Sequence, residues 1–573
     1  MFGAVWAALG VMFLLFYAVL AMFIGLFSEE VPTVPQGSVL VINLDENIVD
    51  SPRAPQFLMD SSSFDMLYSL SMYDIVTALE CAATDPAISA LYINASGAGS
   101  FEGNAQIEEL RSLIKVFKES SGKPVVAYQD SFSQGQYWLA SVADEVYLNP
   151  AGSFDWRGVA SQALFFKGAL EKLDVDVQVV RHGTFKAAVE PYLRTGMSKE
   201  NRLQTKTMVD AIWDAILSDV SASRSIDKIQ LNEWANNIAV TSAQKACDLG
   251  LVDRLAYEDE VRARLAELTG KENPNLISLG EYNTLLSPTF LSQNQVAIVY
   301  ADGEIIDGEG AEGIIGGATT AEQIRRAREN KNIKAVVLRV NSPGGSALAS
   351  EVIWRELELL HKEKPLVVSM SNYAASGGYY ISSPADAIFT NRTTLTGSIG
   401  VFGLIISGGR ALEEGLGVTA EVVKSNDHAD MGNMFRTLTS KEMTYMQNSV
   451  EEVYNTFVGR VADGRKMEQK EVRSIGEGRV WCGDSAVEIG LADSFGGLRE
   501  AICAAAAFAG LENNYSIVEI LNEEEDFLLA LSSMLMAKTP QMEAISEELK
   551  SLQQTIDGGN AVYARIPYNI SIY

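Results

Sequence analysis

Histidine and positive charge are scarce in this chain. Its 573 residues include three histidines (His182, His361 and His428), and 45 lysines and arginines face 74 aspartates and glutamates, for a formal net charge of −29. No local Lys/Arg cluster offsets that imbalance, which argues against a polyanionic partner and so against nucleic-acid binding. An enzyme of the Ser-His-Asp kind would have to draw its base from one of three candidates. Cysteines are few as well. Cys81, Cys247, Cys482 and Cys503 lie far apart without metal-ligand spacing. Cys81 (ALECAA) and Cys503 (AICAAAA), in apolar helical contexts, are expected to be core thiols. Between Met1 and Phe27 charge is absent altogether. A helix of that length would reach about 40 Å, enough to cross a hydrocarbon layer of roughly 30 Å with tilt. No convincing cleavage site precedes Ser28, so an uncleaved anchor is expected, followed by a stiff linker over 28–38 with Pro32 and Pro35. The first basic residue is Arg53, so basic charge does not fix the orientation.

What is present is globular material, 47% hydrophobic and 21% charged, with length for roughly two to four domains. The chain says nearly the same thing twice. VLVINLDENIVDSP (Val39–Pro52) returns as VAIVYADGEIIDGE (Val296–Glu309), and ISALYINASGAGS (Ile88–Ser100) as IKAVVLRVNSPGGS (Ile333–Ser346). YWLASVADEVYLN (Tyr137–Asn149) matches YYISSPADAIFTN (Tyr379–Asn391). Val177–Glu200 matches Ala420–Glu442, and ACDLGLVD (Ala246–Asp253) matches AVEIGLAD (Ala486–Asp493). The separation drifts only from 257 residues (Val39 to Val296) to 240 (Ala246 to Ala486), as loop insertions allow. Strands alternate with helices in each copy, so the reading is a tandem duplication of one α/β domain, over 39–290 and 291–510. The remaining 511–573 form a C-terminal extension in which Phe527–Met536 suits an amphipathic helix.

The chemistry centres on KPLVVSMSNYAASGGYYISSPADAIFTN (Lys364–Asn391). Leu366–Met370 reads as a buried strand, Ser371–Gly378 as a tight turn, Tyr379–Ala385 as a helix and Ala387–Thr390 as the next strand. Ser376 thus sits where a strand and turn feed a helix, with free N–H groups and the helix dipole nearby. A hydroxyl there can attack a carbonyl while the Gly377 N–H meets the developing oxyanion. Gly344 and Gly345, after another strand, offer further donors. The copies diverge in a complementary way. Opposite Ser376 the first copy has Gln134, and opposite Asn341–Gly345 it has SGAGS. Lys186, in HGTFKAAVEPY, faces Ala429 or a near neighbour. One half lacks the nucleophile and the other the lysine, as one site shared between two halves would require. A lysine can act as a base only if neutral, and burial lowers its pKa. Phe185, Ala187, Ala188 and Val189 supply apolar neighbours; Glu190 does not. His428, in SNDHAD, is the rival base.

RVNSPGGS (Arg339–Ser346), SNYAASGGYYIS (Ser371–Ser382), TLTGSIGVFG (Thr394–Gly403), HGTFKAAVEPY (His182–Tyr192) and RVWCGDSAVEIGLAD (Arg479–Asp493) occur in one order. In these motifs the chain resembles the signal peptide peptidase A (protease IV) family in its long double-domain form, from about Val39 to about Gly510. The resemblance implies a Clp protease/crotonase-like fold built twice behind one N-terminal transmembrane helix. It also implies a Ser/Lys dyad: Ser376 as nucleophile, Lys186 as general base, Ser398 holding the lysine, and Gly344, Gly345 and Gly377 as oxyanion donors. Hydrophobic peptides, above all cleaved signal peptides, are the implied substrates, with no metal or other cofactor. The implied setting is a homotetramer on the outer face of the bacterial cytoplasmic membrane. A catalytically silent membrane scaffold and a crotonase-type acyl-CoA enzyme are the competing readings; the latter would need positioned carboxylates and a nucleotide site.

Overall fold

A computed structural model describes residues 33–521, apart from 45–46, 54–55, 60–63, 68, 95–100, 287–291 and 513, together with the strand Val562–Arg565. The expected anchor over 1–27, the helix over Phe527–Met536 and the SGAGS turn of the first copy lie outside the described residues. No described helix is long and apolar enough to cross a membrane.

Valine- and isoleucine-rich runs with both faces covered form parallel sheets. In the first repeat the strand order is Arg254–Leu255, Glu145–Leu148, Val125–Gln129, Ile88–Asn94, Ser38–Asn43, Leu276–Ser278, all parallel. The second repeat copies it: Ser494–Phe495, Ala387–Thr390, Leu366–Ala375, Ile333–Ser342, Gln295–Asp302, Ser516–Ile520. The last of these belongs to the sequence beyond 510 and forms the sheet's edge. Behind each sheet runs a helix whose apolar residues fall on one stripe. Ala347–His361 buries Ala349, Ile353, Trp354, Leu357 and Leu360 at the helical spacing. A 26-residue helix follows in each repeat, Lys199–Arg224 and Ser440–Arg465.

Two sequence expectations are corrected. The strand over Leu366–Met370 continues to Ala375, because Tyr373, Ala374 and Ala375 pair with Leu395, Thr396 and Gly397. The turn narrows to Ser376 and the helix that follows is Gly377–Ser382. Cys503 is exposed rather than core, since Leu498, Ala501, Ile502, Ala505 and Ala506 form the buried stripe of its helix and Cys503 is out of phase. Cys81 is half-buried, and Cys482 is the buried thiol.

A third sheet joins the repeats. Its order is Ile314–Gly316, Glu304–Ile306, Gly344–Ser346, Val562–Arg565, Val401–Ser407, Asp176–His182. The last pair is an antiparallel ladder from Val401↔His182 to Ser407↔Asp176, with one strand from each repeat. The counterpart of Asp176–His182 in the second repeat, around Ala420–Ser425, forms no strand.

Buried charge closes the junction. The Arg339 side chain, fully buried, donates to Asp50 Oδ1 (Nη2, 2.5 Å), Glu109 Oε2 (Nη2, 2.8 Å) and Ser369 Oγ (Nη1, 2.7 Å). Asn372 Oδ1 accepts from the amides of Ala105 (3.1 Å) and Gln106 (3.2 Å), capping a first-repeat helix from the second repeat. Removing one partner of a buried ion pair strands the others without compensation. Arg339→Met is therefore expected to destabilise the chain by about 3–5 kcal/mol, read as a lower midpoint in denaturant.

Candidate active site

Ser376 and Lys186 come together from opposite repeats of one chain. Ser376 ends the long strand of the second repeat and begins its short helix with φ 57° and ψ −114°. That backbone is strained for a residue with a Cβ and is held by the Ser376 N–H donating to Gly397 O at 2.8 Å. The hydroxyl is thereby turned away from the strand's own sheet bonds and towards the junction. Lys186 follows the first-repeat strand Asp176–His182, which the ladder to Val401–Ser407 fixes in register.

Lys186 Nζ lies 2.7 Å from Ser376 Oγ, 3.0 Å from Ser398 Oγ and 3.1 Å from Ser398 O. In the neutral amine that burial favours, one lone pair and two N–H groups serve these three contacts. The lone pair takes the Ser376 O–H and the two N–H groups donate to Ser398. Ser398 Oγ is free to accept because its own proton points to Gly478 O at 3.4 Å. Lys186 is 1% exposed, and Ala187, Met208, Ala375, Leu395, Val480 and Cys482 form the adjoining apolar cluster. Burial pushes the lysine pKa well below its ordinary value. Glu190, the one acidic neighbour in sequence, is turned away: its Oε2 accepts from Ser198 N (3.0 Å) and Asn201 Nδ2 (2.8 Å).

The glycines stand beside this pair. Gly344 Cα is 3.3 Å from where a Cβ on Gly377 would be, so the two glycine segments touch beside Ser376. A Cβ on Gly345 would lie 2.0 Å from Ile305 O. Gly377 and Gly378 open a helix, where amides have no intrahelical partner. The Gly344 N–H donates to Ser342 Oγ at 3.2 Å. Next to these glycines runs a groove between two strand edges. Val562–Arg565 lies in it, antiparallel to Gly344–Ser346 on one side and to Phe402–Gly403 on the other.

All the predicted site residues on the described chain, namely Ser376, Lys186, Ser398, Gly344, Gly345 and Gly377, meet here. The rival does not: His428 pairs with Glu442 (2.9 Å) and Ser376 Oγ contacts the lysine instead. His182 bridges Glu451 and stacks on Tyr454, and His361 faces Asp386. In the first repeat the place of Ser376 is filled by buried Gln134. Its Oε1 accepts from the amides of Arg157 (3.1 Å) and Gly158 (2.9 Å), so that position is structural, while Ala429, opposite Lys186, is exposed. Sequence reasoning missed Gly478. A Cβ there would lie 2.6 Å from Lys186 Cβ, at a φ of 75°; its signal was a lone glycine before RVWCGD.

One family model matches the chain. The model of "Peptidase family S49" matches twice, over residues 118–272 and 358–512. Protease 4 of Salmonella typhi is 39% identical over 491 residues, covering 82% of this chain and 78% of that protein. Protease 4 of Haemophilus influenzae is 37% identical, covering 81% and 78%. The chloroplastic serine protease SPPA of Arabidopsis thaliana is 31% identical, covering 93% and 79%.

The lysine makes reactivity pH-dependent with a definite sign. Attack requires the neutral amine, so acylation of Ser376 by a small reagent is expected to rise with pH, with a midpoint well below the 10.5 of a free lysine. Lys186→Met should abolish that reactivity. Between the lowered pKa and 10.5 the unfolded chain binds a proton that the folded chain does not. Folding stability therefore falls as pH drops through that window, by about 1.4 kcal/mol per unit. The methionine variant should lose this dependence and resist denaturant better than the wild type at pH 7.

Proposed function

The chain belongs to peptidase family S49, in tandem form, and from that premise we propose that it is a membrane-anchored endopeptidase that degrades cleaved signal peptides and other hydrophobic peptides with a Ser376/Lys186 dyad. The serine peptidase class follows from the family. The observation that carries the dyad is the 2.7 Å contact between a fully buried lysine amine and the hydroxyl of a strained serine.

Neutral Lys186 takes the Ser376 proton as the oxygen attacks the scissile carbonyl, and Ser398 keeps the amine aimed. The negative charge forms beside the Gly345 and Gly377 amides, while the Gly344 N–H, a third expected donor, is held by Ser342 Oγ at 3.2 Å. The lysinium then protonates the leaving amine, and the same lysine deprotonates the water that clears the acyl-enzyme. The substrate adds as an extended strand in the groove that Val562–Arg565 fills, with main-chain bonds to Gly344–Ser346 and Phe402–Gly403. Such binding tolerates sequence, which suits a degradative peptidase. Each repeat has the Clp protease/crotonase fold in this reading, supported by the parallel strand order and by glycine turns at strand carboxyl ends. The uncharged stretch Met1–Phe27 is the anchor, in the bacterial cytoplasmic membrane, with the catalytic part on the outer side.

The partner is further copies of the same chain, four in the family resemblance. The duplication supports an open-ended design. The ladder between Asp176–His182 and Val401–Ser407 uses one strand from each repeat. By repeat correspondence the segments left over are 159–164 in the first repeat and 420–425 in the second. Neither is assigned to a strand, Leu164 is 55% and Val423 95% exposed, and each can complete the other between neighbouring copies. Head-to-tail pairing of this kind closes into a ring when the rotation between neighbours closes, and a tetramer requires a quarter turn. The within-chain register, transferred, sets Ser161 opposite Val423.

Two experiments test the proposal. On a fluorogenic hydrophobic peptide, Ser376→Ala and Lys186→Ala are each expected to abolish turnover while the assembly stays intact. Full activity in Lys186→Ala would remove the dyad, and no labelling of Ser376 by an acylating inhibitor would leave a silent scaffold. The double variant Ser161→Cys/Val423→Cys should form an interchain disulfide under mild oxidation, whereas a chain that stays monomeric by light scattering rules the ring out.

A further inference from the structure

The glycine turn beside Ser376 is tied to the first repeat through one side chain. Asn341, 8% exposed, is the last residue but one of the strand Ile333–Ser342, which passes through Pro343 into Gly344–Ser346, the Ser342–Gly345 turn. Its carbonyl accepts from Gly303 N (2.9 Å) and its Oδ1 from Tyr373 N (3.3 Å), in the strand that carries the nucleophile. Its amide nitrogen has two protons and two carboxylates to receive them: Glu102 Oε2 at 3.0 Å, from the first repeat, and Asp302 Oδ1 at 3.1 Å. With both protons and the oxygen engaged, the amide cannot rotate. The next residue, Ser342, accepts the Gly344 N–H, and its carbonyl is 2.7 Å from where a Cβ on Gly378 would stand.

We infer that Glu102 and Asp302 are positioning residues for hydrolysis: together they orient Asn341, and through it hold the Ser342–Gly345 turn in register with Ser376. This rests on the hydrolytic reading above. The two carboxylates come from different repeats: Glu102 precedes the helix Asn104–Ser121 of the first, and Asp302 ends the strand Gln295–Asp302 of the second.

The surroundings make the arrangement sensitive to protons. Arg53 Nη2 lies 2.5 Å from Glu102 Oε1 and 3.4 Å from Asp302 Oδ2, Gln106 Nε2 is 3.4 Å from Glu102 Oε2, and Ser51 Oγ donates to Asp302 Oδ2 at 2.8 Å. Asp50, the third carboxylate of the cluster, accepts from Arg339, Gln106 and Ser371 and adds negative charge behind them. Burial first and Asp302 next push Glu102 up to about 7, against the pull of Arg53. Burial and Asp50 raise Asp302 as well. Every group that touches the Glu102 carboxyl oxygens is a donor, so the ionised form fits the site. A proton gained as pH falls through neutrality puts a donor on a carboxyl that otherwise only accepts and weakens its hold on the Asn341 amide. Activity should therefore lose two protonation-sensitive features as pH falls, the lysine base and the held turn.

The test is peptide hydrolysis by the full chain across the neutral range. Glu102→Gln is expected to lower kcat about tenfold, less than outright loss of an oxyanion donor, with KM within about twofold. It should also reduce the pH dependence of kcat near neutrality from two protons towards one. Should Glu102→Gln not fold, Asp302→Asn, which leaves the Arg53–Glu102 pair in place, carries the same expectation. Folded variants with wild-type kcat and an unchanged proton number overturn the inference. So does a loss of stability in both with kcat and KM falling together. A wild-type chain without turnover fails the hydrolytic reading instead, so the two failures are distinguishable.

Discussion

Everything in this molecule that bears on chemistry depends on keeping one amine dry. A lysine in water is a cation and no base; Lys186 is useful because Ala187 and Met208 from the first repeat meet Ala375, Leu395, Val480 and Cys482 from the second around it. Among the described residues no acidic side chain bonds to the amine; Glu190 is spent on Ser198 and Asn201. The wall must also be tight. Gly478 is glycine because a single methyl there would strike Lys186, and the Arg339, Asp50 and Glu109 cluster keeps the two repeats from parting.

The first repeat shows what became of the mirror site. Where the second repeat has a serine hydroxyl, Gln134 offers an amide that accepts from the Arg157 and Gly158 amides and donates to Gly158 O at 3.1 Å. The turn at this position is fastened by those hydrogen bonds. Meanwhile Ala429, opposite the lysine, has gone to the surface. Each half kept the part the other lost.

Much of this was legible in the sequence because the chain supplies its own alignment. Comparing the two halves exposed the tandem duplication and singled out Ser376 and Lys186 at positions where they differ. Ser398 was visible only through family resemblance, since one serine in TGSIG carries no signal by itself. Other features were hidden for physical reasons. Asp50, Glu109 and Arg339 are far apart in sequence and meet only across the junction, as do Glu102 and Asn341. SNYAA looked like a turn because its residues are small and polar, yet the segment is a buried strand satisfied by its neighbour Leu395–Gly397. Cys503 was judged by the apolarity of its context, whereas the phase of the helix decides which side chains face inward.

The division of the dyad between repeats gives the covalent chain a kinetic meaning. The peptide that runs from Lys186 to Ser376 is a tether, and a tether fixes the local concentration of one group around another, on the order of millimolar for short flexible links. The base and the nucleophile thus never have to find each other by diffusion. In the proposed mechanism two free half-length chains would have to assemble before Lys186 could reach Ser376; fused, the contact between the two is made within one chain and does not depend on dilution.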